Sequence, residues 1–191
     1  MSVVNSAKSR RTIRKFSGRA VEMSDIMEII DCARLAPTGA NLQSLKYFII
    51  EDEADRRAIY PMIKYAGYLP DWNPEFEECP PVFVAVLNDT KIKPTEKAEC
   101  DSGAAIMSMC LAAEEMGIGS CWLGAIDREG IMAHLKLAED LDLMYLVGLG
   151  YADQTAKICD FKDSVKYYME DEILYVPKRS IKDVLITREE K

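Results

Sequence analysis

The first 21 residues contain a cluster of basic side chains that could bind an anion. No acidic residue lies among them, although the whole chain is acidic, with a net charge of −8. The guanidinium fork of arginine matches the geometry of phosphate oxygens, and Thr12 adds a hydroxyl donor. A phosphate-bearing ligand would explain the cluster, but a solvated basic face or an arginine-rich organelle transit peptide would have a similar composition. The basic residues are Lys8, Arg10, Arg11, Arg14, Lys15 and Arg19.

A second basic pair, Lys178 and Arg179, lies near the other end of the chain. It follows Pro177 and precedes an apolar pattern between residues 181 and 185. Basic residues are common on protein surfaces, so the pair alone is weak evidence for a site. Nothing in the spacing shows that it meets the N-terminal cluster.

The third feature is a loop between a predicted helix and a predicted strand. Hydroxyl and amide side chains on a tight loop offer both donors and acceptors to a flat heterocycle. The same residue types are also typical of a plain helix-to-strand turn, because Thr, Gly and Asn suit turn backbones. The loop reads Pro37-Thr38-Gly39-Ala40-Asn41-Leu42-Gln43.

The fourth feature is a glycine-rich stretch, Gly117-Ile118-Gly119-Ser120-Cys121-Trp122-Leu123-Gly124. Its glycines would let the backbone approach a ligand closely. The spacing is not that of a dinucleotide-binding fingerprint, and no strand is predicted before it. Taken alone, the stretch predicts the end of a helix followed by a strand.

Other kinds of site are not predicted. The chain has one histidine, His134, which we predict to lie on the surface of an amphipathic helix, and it has no nucleophile elbow of the G-x-S-x-G type. Its six cysteines are scattered without a C-x-x-C pair, so we expect reduced, mostly buried thiols rather than a zinc or iron–sulfur site. We therefore predict no metal site and no conventional hydrolytic constellation.

Composition places the chain among ordinary soluble proteins. With 191 residues, 49% of them hydrophobic, it fits a single domain over residues 1–191. The acidic balance, with a pI near 4.8, argues against general nucleic-acid binding. The longest nearly uncharged stretch, from Ser102 to Ala113, is too short to span a bilayer. No secretory signal is visible, so the cytoplasm is the expected location.

Hydrophobic periodicity predicts a mixture of helices and strands, and therefore an α+β or α/β fold. The stretch from Tyr68 to Pro81 holds four prolines and predicts an irregular excursion. After Tyr151 the pattern fades into an extended tail, with a last short helix or strand at residues 181–186. Helices are predicted at residues 24–35, 54–65 with a break at Pro61, 101–116 and 128–137, and strands at 45–51, 82–88, 121–126 and 144–149.

Taken together, the four features resemble the family of nitroreductases that use flavin mononucleotide (FMN). The similar segments keep their order and extend from residue 10 to about residue 185, nearly the whole chain. They are Arg10-Arg11-Thr12-Ile13-Arg14-x-Phe16, Ala36-Pro37-Thr38-Gly39-Ala40-Asn41-Leu42-Gln43, Asp101-x-Gly103-Ala104-Ala105 with the glycine-rich stretch that follows, and Pro177-Lys178-Arg179-Ser180-Ile181.

The resemblance implies an α+β fold with a mixed sheet flanked by helices, in which a central apolar helix packs against its copy in an intertwined homodimer. It also implies FMN as cofactor, NADH or NADPH as electron donor, and a flat acceptor such as a nitroaromatic compound or a quinone. By analogy, one subunit would hold the phosphate and ribityl chain with Arg10, Arg11, Thr12, Arg14, Lys178 and Arg179. The partner subunit would line the ring and ribityl side with Pro37, Thr38, Gly39 and Asn41, with Gln43 near the ring, and the backbone at Leu123 and Gly124 would face the flavin N5 region.

Two departures bear on these expectations. The family often continues its loop as Q-P-W, where this chain has Gln43-Ser44-Leu45, and it often has K-x-R where Lys178 and Arg179 are adjacent. Because a fold does not fix a reaction, three alternatives stay open. They are a reductive dehalogenase of the same superfamily, a non-catalytic FMN store or sensor, and a flavin-free interaction protein.

Overall fold

The structure, a computed structural model, describes residues 2–69, 72–186 and 188. Its helices are α1 (Val3–Ser9), α2 (Met23–Arg34), α3 (Glu53–Ile59), α4 (Thr95–Glu115), α5 (Arg128–Leu135) and α6 (Ile181–Val184). Its strands are β1 (Leu45–Ile50), β2 (Val82–Asp89), β3 (Gly119–Leu123), β4 (Leu141–Gly150), β5 (Thr155–Asp160), β6 (Tyr168–Glu170) and β7 (Ile173–Lys178). Short 3₁₀ turns lie at Gly39–Asn41, Tyr60–Met62 and Phe76–Glu78.

Four antiparallel strands form the central sheet, in the order β1-β2-β4-β3. The side chains of β2 alternate between the two faces, so that Val84 and Val86 pack on one side and Phe83, Ala85 and Leu87 on the other. Helices α2 and α4 cover the first side, and the second side packs against residues from the N-terminal segment, α3 and α5. The predicted α+β class and the buried central strand are confirmed.

Helix α4 begins six residues earlier than the sequence pattern predicts. The predicted start at Asp101 follows the apolar run, whereas the added first turns are polar and follow Pro94. The helix is also not buried all round within one chain. Ala105, Ile106 and Met109 face the core, while Met107 is 40% exposed.

A second, three-stranded sheet of order β5-β7-β6 occupies the C-terminal region, in which β5 runs parallel to β7. The sequence predicts only an extended tail there, because β5 and β6 are largely exposed and carry little apolar alternation, and in β7 only Leu174 is buried. The last short element is a helix, α6. Helix α1, which the sequence pattern misses, is capped by the Ser2 side chain.

Smaller differences lie at the ends of elements, where sequence patterns are least reliable. Helix α2 starts at Met23 after Glu22, so Ser24 does not cap it as predicted. Helix α3 gives way to a 3₁₀ turn at Pro61, where a break is expected. Helix α5 ends two residues early because Lys136 adopts a left-handed conformation. In the described part of the chain, no helix is long and apolar enough to cross a membrane.

Candidate functional site

The N-terminal arginines lie on a segment that is fixed along the start of β3. Thr12 forms a parallel bridge with Ser120, and the Ile13 amide donates to the Ser120 carbonyl oxygen at 3.0 Å. Ile13 and Phe16 insert their side chains into the core, and Phe16 is only 1% exposed. We call residues 10–16 the arginine segment. Its apolar residues anchor it and leave the three arginines at the protein surface, each partly buried.

The guanidinium groups of the arginine segment are not neutralised by carboxylates. Within residues 2–69 and 72–186, none of Arg10, Arg11 and Arg14 forms a salt bridge. Burial and the neighbouring charge of Arg10 lower the pKa of Arg11, and Glu114 only partly opposes them. Partly buried, mutually repelling cations of this kind are suited to bind an anion.

Arg14 is held in place by groups from two other parts of the chain. Its Nε donates to the Tyr65 carbonyl oxygen at 2.6 Å, and its guanidinium carbon lies 4.7 Å from the centre of the Tyr167 ring. Its backbone amide donates to the Gln154 side chain at 3.0 Å. No local pattern in the sequence indicates these partners, because they are brought together from distant positions in the chain.

The outer edge of β3 is open beside the arginine segment. β3 is the last strand of the sheet, and its outer edge is bridged at Ser120 by Thr12. Beyond the strand, the Ala125 carbonyl oxygen accepts from the Lys64 amide at 2.9 Å. Among the described residues, no strand pairs with the edge between these two points, which includes Leu123 and Gly124. The Leu123 side chain is buried, so its backbone rather than its side chain borders this opening.

The loop from Pro37 to Gln43 has an unusual backbone. Ala40, Asn41 and Gln43 have φ angles of 53°, 54° and 53°, in the left-handed region that disfavours residues other than glycine. The Gln43 amide donates to Thr38 Oγ1 at 3.2 Å, and Gln43 Nε2 donates to the Asn41 carbonyl oxygen at 3.3 Å. Three such residues in one exposed loop are more than a plain turn requires, and strained backbone of this kind concentrates at functional sites.

A buried ion pair lies directly beneath this loop. Asp101 Oδ1 accepts a hydrogen bond from the Gly39 amide at 3.0 Å, and Lys93 Nζ donates to Asp101 Oδ2. The two charged side chains are only 9% and 6% exposed. Burial alone would raise the pKa of Asp101, but the hydrogen bonds from Lys93 and Gly39 and the charge of Lys93 hold it below its ordinary value. The sequence motif contains Asp101, but it gives no signal for this role or for Lys93.

Within one chain, the loop and the arginine segment lie at opposite ends of α4. The loop is tied to Asp101, near the start of the helix. The residues before the arginine segment are tied to its end, where Ser6 Oγ donates to Glu115 Oε2 at 3.0 Å. Asp101 and Glu115 are separated by about 21 Å along the axis, at 1.5 Å per residue. The structure therefore does not bring these two groups of predicted site residues together in a single chain.

The basic pair at residues 178–179 is exposed at the end of β7. The Arg179 guanidinium lies 4.5 Å from the centre of the Phe161 ring, and the Lys178 carbonyl oxygen accepts from the Phe161 amide at 3.0 Å. No contact joins the pair to the arginine segment among the described residues. Their predicted convergence on one phosphate group therefore remains a prediction.

In the described part of the chain, neither His134 nor the cysteines form a pair of nucleophile and base. His134 Nε2 lies 2.8 Å from Asp55 Oδ1 in a surface pair between α5 and α3, in agreement with its predicted surface position. All six cysteines are free thiols, and burial raises the pKa of Cys121 to about 12. Cys100 is exposed, and three of the six are fully buried. Among the described residues, no group of three or more His, Cys, Asp and Glu side chains is arranged to hold a metal ion.

Comparison with known proteins identifies the class of this fold and site. The sequence profile of the Nitroreductase family matches residues 7–67 and 68–151, so the chain belongs to that family. It is accordingly an oxidoreductase, as the resemblance predicts. A relative from Archaeoglobus fulgidus, provisionally named NADH dehydrogenase/NAD(P)H nitroreductase, is 28% identical over 170 residues, or 86% of this chain and 88% of the relative. An iodotyrosine deiodinase from Thermotoga neapolitana is 24% identical, over 77% of this chain and 87% of the relative.

Solved structures of family members share the fold. A provisionally assigned nitroreductase from Desulfovibrio desulfuricans, in complex with FMN, matches with a TM-score of 0.75 and 21% identity and covers 100% of this chain and 99% of its own. An FMN-dependent nitroreductase from Clostridium difficile R20291 matches with a TM-score of 0.68 and 22% identity and covers 84% of this chain and 92% of its own. At these identities, the likeness establishes the architecture alone.

Proposed function

We propose that this protein binds FMN and transfers reducing equivalents from NADH or NADPH to a flat acceptor such as a nitroaromatic compound or a quinone. The observation that carries the proposal is the set of partly buried arginines without carboxylate partners, beside the open edge of β3. Family membership, the FMN in the name of two structural neighbours and the NAD(P)H in the name of a relative support it.

The donor groups of the site fit the chemistry of FMN. Its phosphate is dianionic, so Arg10 and Arg11 would gain the anion that no carboxylate supplies, and Thr12 would add a hydroxyl donor. Arg14 would bind the phosphate next to them, through the guanidinium N–H groups that do not donate to the Tyr65 carbonyl oxygen. The Leu123–Gly124 backbone would border the ring at the open strand edge and exclude water from it. The bound flavin supplies hydride transfer from the nicotinamide and two-electron reduction of the acceptor, so no nucleophilic side chain is required.

The site would be completed by a second copy of the chain. The loop from Pro37 to Gln43 is tied to Asp101 near the start of α4, whereas the residues before the arginine segment are tied to Glu115, about 21 Å further along the axis at 1.5 Å per residue. Packing α4 against its copy in an antiparallel crossing would bring the loop of one subunit to the arginine segment of the other. Exposed apolar side chains such as Met27 and Met107 are available for such an interface. Replacing Met107 by Asp should therefore lower dimer stability and flavin content together.

A second candidate function, reductive dehalogenation, is supported by the iodotyrosine deiodinase relative. It would use the same flavin and the same arginines with a halogenated aromatic acceptor. Both functions differ from a flavin store or sensor, which would bind FMN without turnover.

The free thiols fit the reducing cytoplasm as the place of this activity.

The decisive experiment is anaerobic stopped-flow reduction of the purified protein. We expect a yellow protein that releases FMN on denaturation, whose absorbance bleaches with NADH or NADPH and recovers with nitroaromatic or quinone acceptors. Recovery only with iodinated or brominated phenols would favour the dehalogenase. A yellow protein that stays oxidised under both nicotinamides would be a store or sensor. A colourless protein that gains no flavin from excess FMN would overturn the proposal.

A further inference from the structure

We propose that Lys93 and Asp101 form a positioning pair that holds the loop from Gly39 to Gln43 in the conformation that binds the flavin. The inference rests on the proposed function, because it assigns a task to residues outside the predicted cofactor contacts. Its physical basis is the buried ion pair between Lys93 and Asp101. The carboxylate oxygen of Asp101 that does not face Lys93 accepts a hydrogen bond from the Gly39 backbone amide.

The two members of the pair come from α4 and from the turn between β2 and α4. Asp101 lies in α4, and Lys93 lies just after β2, where its carbonyl oxygen accepts from the Asn88 side chain at 2.8 Å. The Lys93 amide also donates to the Asp89 carbonyl oxygen at 3.2 Å. The Gly39 amide is therefore attached to α4 through Asp101, and Lys93 holds that carboxylate from the turn after β2. A site supported in this way keeps its geometry better than one built on loop residues alone.

Stability alone does not explain the pair. Removing two charges from water is costly, and apolar side chains of similar volume often replace a buried ion pair without loss of stability. The loop above, in contrast, contains three non-glycine residues with left-handed φ angles, and such a backbone persists only where its surroundings fix it. The Gly39 amide bond to Asp101 supplies that restraint at the start of the strained stretch.

Lys93 also limits the size of the residue at position 39. A Cβ atom added to Gly39 would lie 3.0 Å from Lys93 Nζ and 3.7 Å from Asp101 Oδ1. The Gly39 backbone thus lies close against the charged end of Lys93, and a larger residue would fit only after a shift of a few tenths of an ångström. A methyl group there would have to move either the loop or the lysine.

The test compares two double variants that both remove the charges. K93M/D101N keeps a side-chain oxygen that can accept from the Gly39 amide, whereas K93M/D101L has a similar volume and no acceptor. Hydrogen exchange of the loop is measured on the flavin-free protein, and FMN affinity is measured by quenching of flavin fluorescence. We expect the Asn variant to retain more loop protection and FMN affinity than the Leu variant but less than wild type, because it keeps an acceptor for the Gly39 amide and loses the lysine that holds the acceptor in place. The Leu variant should lose about tenfold in loop protection and FMN affinity, the effect of one hydrogen bond of about 1.5 kcal/mol.

Equal loop protection and equal FMN affinity in the two variants would overturn the inference. If the Leu variant does not fold, Gly39→Ala serves as the second test, because it leaves both charges in place and changes only a surface loop. It should lose loop protection in the flavin-free protein at an unchanged melting temperature, and an unaffected loop would likewise overturn the inference. Gly18→Ala is its control, since an added Cβ there meets no atom within 4 Å.

The design separates this inference from the proposed function. A wild-type protein that binds no FMN would overturn the proposed function, while hydrogen exchange on the flavin-free protein would still test the pair. A wild type that binds FMN, with two variants that bind it equally, would overturn the pair alone.

Discussion

The two basic regions of the chain look alike in sequence but are held very differently. The arginine segment is anchored by the buried Ile13 and Phe16 and by its bridge to Ser120, so its charges are partly buried. The pair at Lys178 and Arg179 lies exposed at the end of β7. Charge pattern alone therefore cannot rank the two regions as anion sites. The apolar residues between the charges make the difference, because they determine how much water surrounds each guanidinium group.

The difference in burial sets the order of expected effects. Charges at a partly dehydrated site interact more strongly than exposed charges, which water and salt screen. The arginine segment should therefore dominate anion affinity, and its anchors should also matter for folding. The basic pair should contribute little to either property.

The largest effect is expected from removing the anchor of the arginine segment. Phe16 is almost fully buried, so Phe16→Ala should lower the free energy of unfolding by about 3–5 kcal/mol, the usual loss for a buried phenylalanine. Chemical denaturation followed by circular dichroism measures this. Phe48→Ala, at a half-exposed position on β1, is the matched control and should lose much less. Similar losses in the two variants would mean that the segment is not anchored through the core.

The second prediction concerns the phosphate itself. Arg10→Ala should weaken FMN binding roughly ten- to a hundredfold, since a charge-assisted hydrogen bond contributes about 1.5–3 kcal/mol. Riboflavin has no phosphate and should lose almost nothing. Asn41→Ala should weaken both ligands alike, because it is assigned to the ring and ribityl side. Fluorescence titration of flavin-free variants gives the FMN-to-riboflavin affinity ratio. A ratio unchanged in Arg10→Ala would make the arginine segment an ordinary solvated surface.

A smaller effect is expected from the ion pair beside the anchor. Lys15 Nζ lies 2.8 Å from Glu78 Oε1, and the hydrogen bond from Lys15 holds the pKa of Glu78 below its ordinary value. A carboxylate with a lowered folded-state pKa stabilises the fold at pH values above its unfolded-state pKa of about 4.3. That stabilisation is lost as the pH falls through the folded-state value. Wild type should therefore exceed Glu78→Gln in stability at pH 7, and the difference should shrink in acid.

Replacing Lys15, the other member of the ion pair, provides the control for this pH effect. Lys15→Met should reproduce the small loss at pH 7, because it removes the same hydrogen bond from the other side. Thermal unfolding of the three proteins between pH 3 and pH 7 measures the difference. A stability gap that stays constant down to pH 3 would show that the pair does not act through the charge of Glu78.

The same contrast in burial explains how much of the molecule the sequence predicts. The strand from Val82 is predictable because burial on both faces leaves a continuous apolar run. The sheet formed by residues 155–178 is not, because exposed strands leave little pattern. The family motifs predict that Asp101 matters, but its partner Gly39 is 62 residues away in the chain. Side-chain to backbone bonds of such range leave no local signature, so the support of the candidate site is visible only in the fold.

The smallest effects should come from the basic pair, and they would show which of its members contacts the phosphate. Arg179 already lies over the Phe161 ring, whereas the Lys178 side chain has no such contact among the described residues. We therefore expect Lys178→Ala to weaken FMN binding by about two- to fivefold, consistent with an exposed ion pair of up to about 1 kcal/mol, and Arg179→Ala to weaken it less. Fluorescence titrations at low and high salt measure both variants.

Salt distinguishes this contribution from that of the arginine segment. The effect of Lys178→Ala should vanish at about 0.5 M salt, where screening acts over a few ångströms, while the effect of the partly buried Arg10 should persist. Phe161→Ala is the control, because it removes the ring beneath Arg179 and keeps both charges. A larger loss in Arg179→Ala than in Lys178→Ala would mean that the guanidinium leaves Phe161 to bind the phosphate. A loss equal to that of Arg10→Ala would contradict the ranking of the two basic regions, because an exposed pair would then bind the anion as strongly as an anchored one.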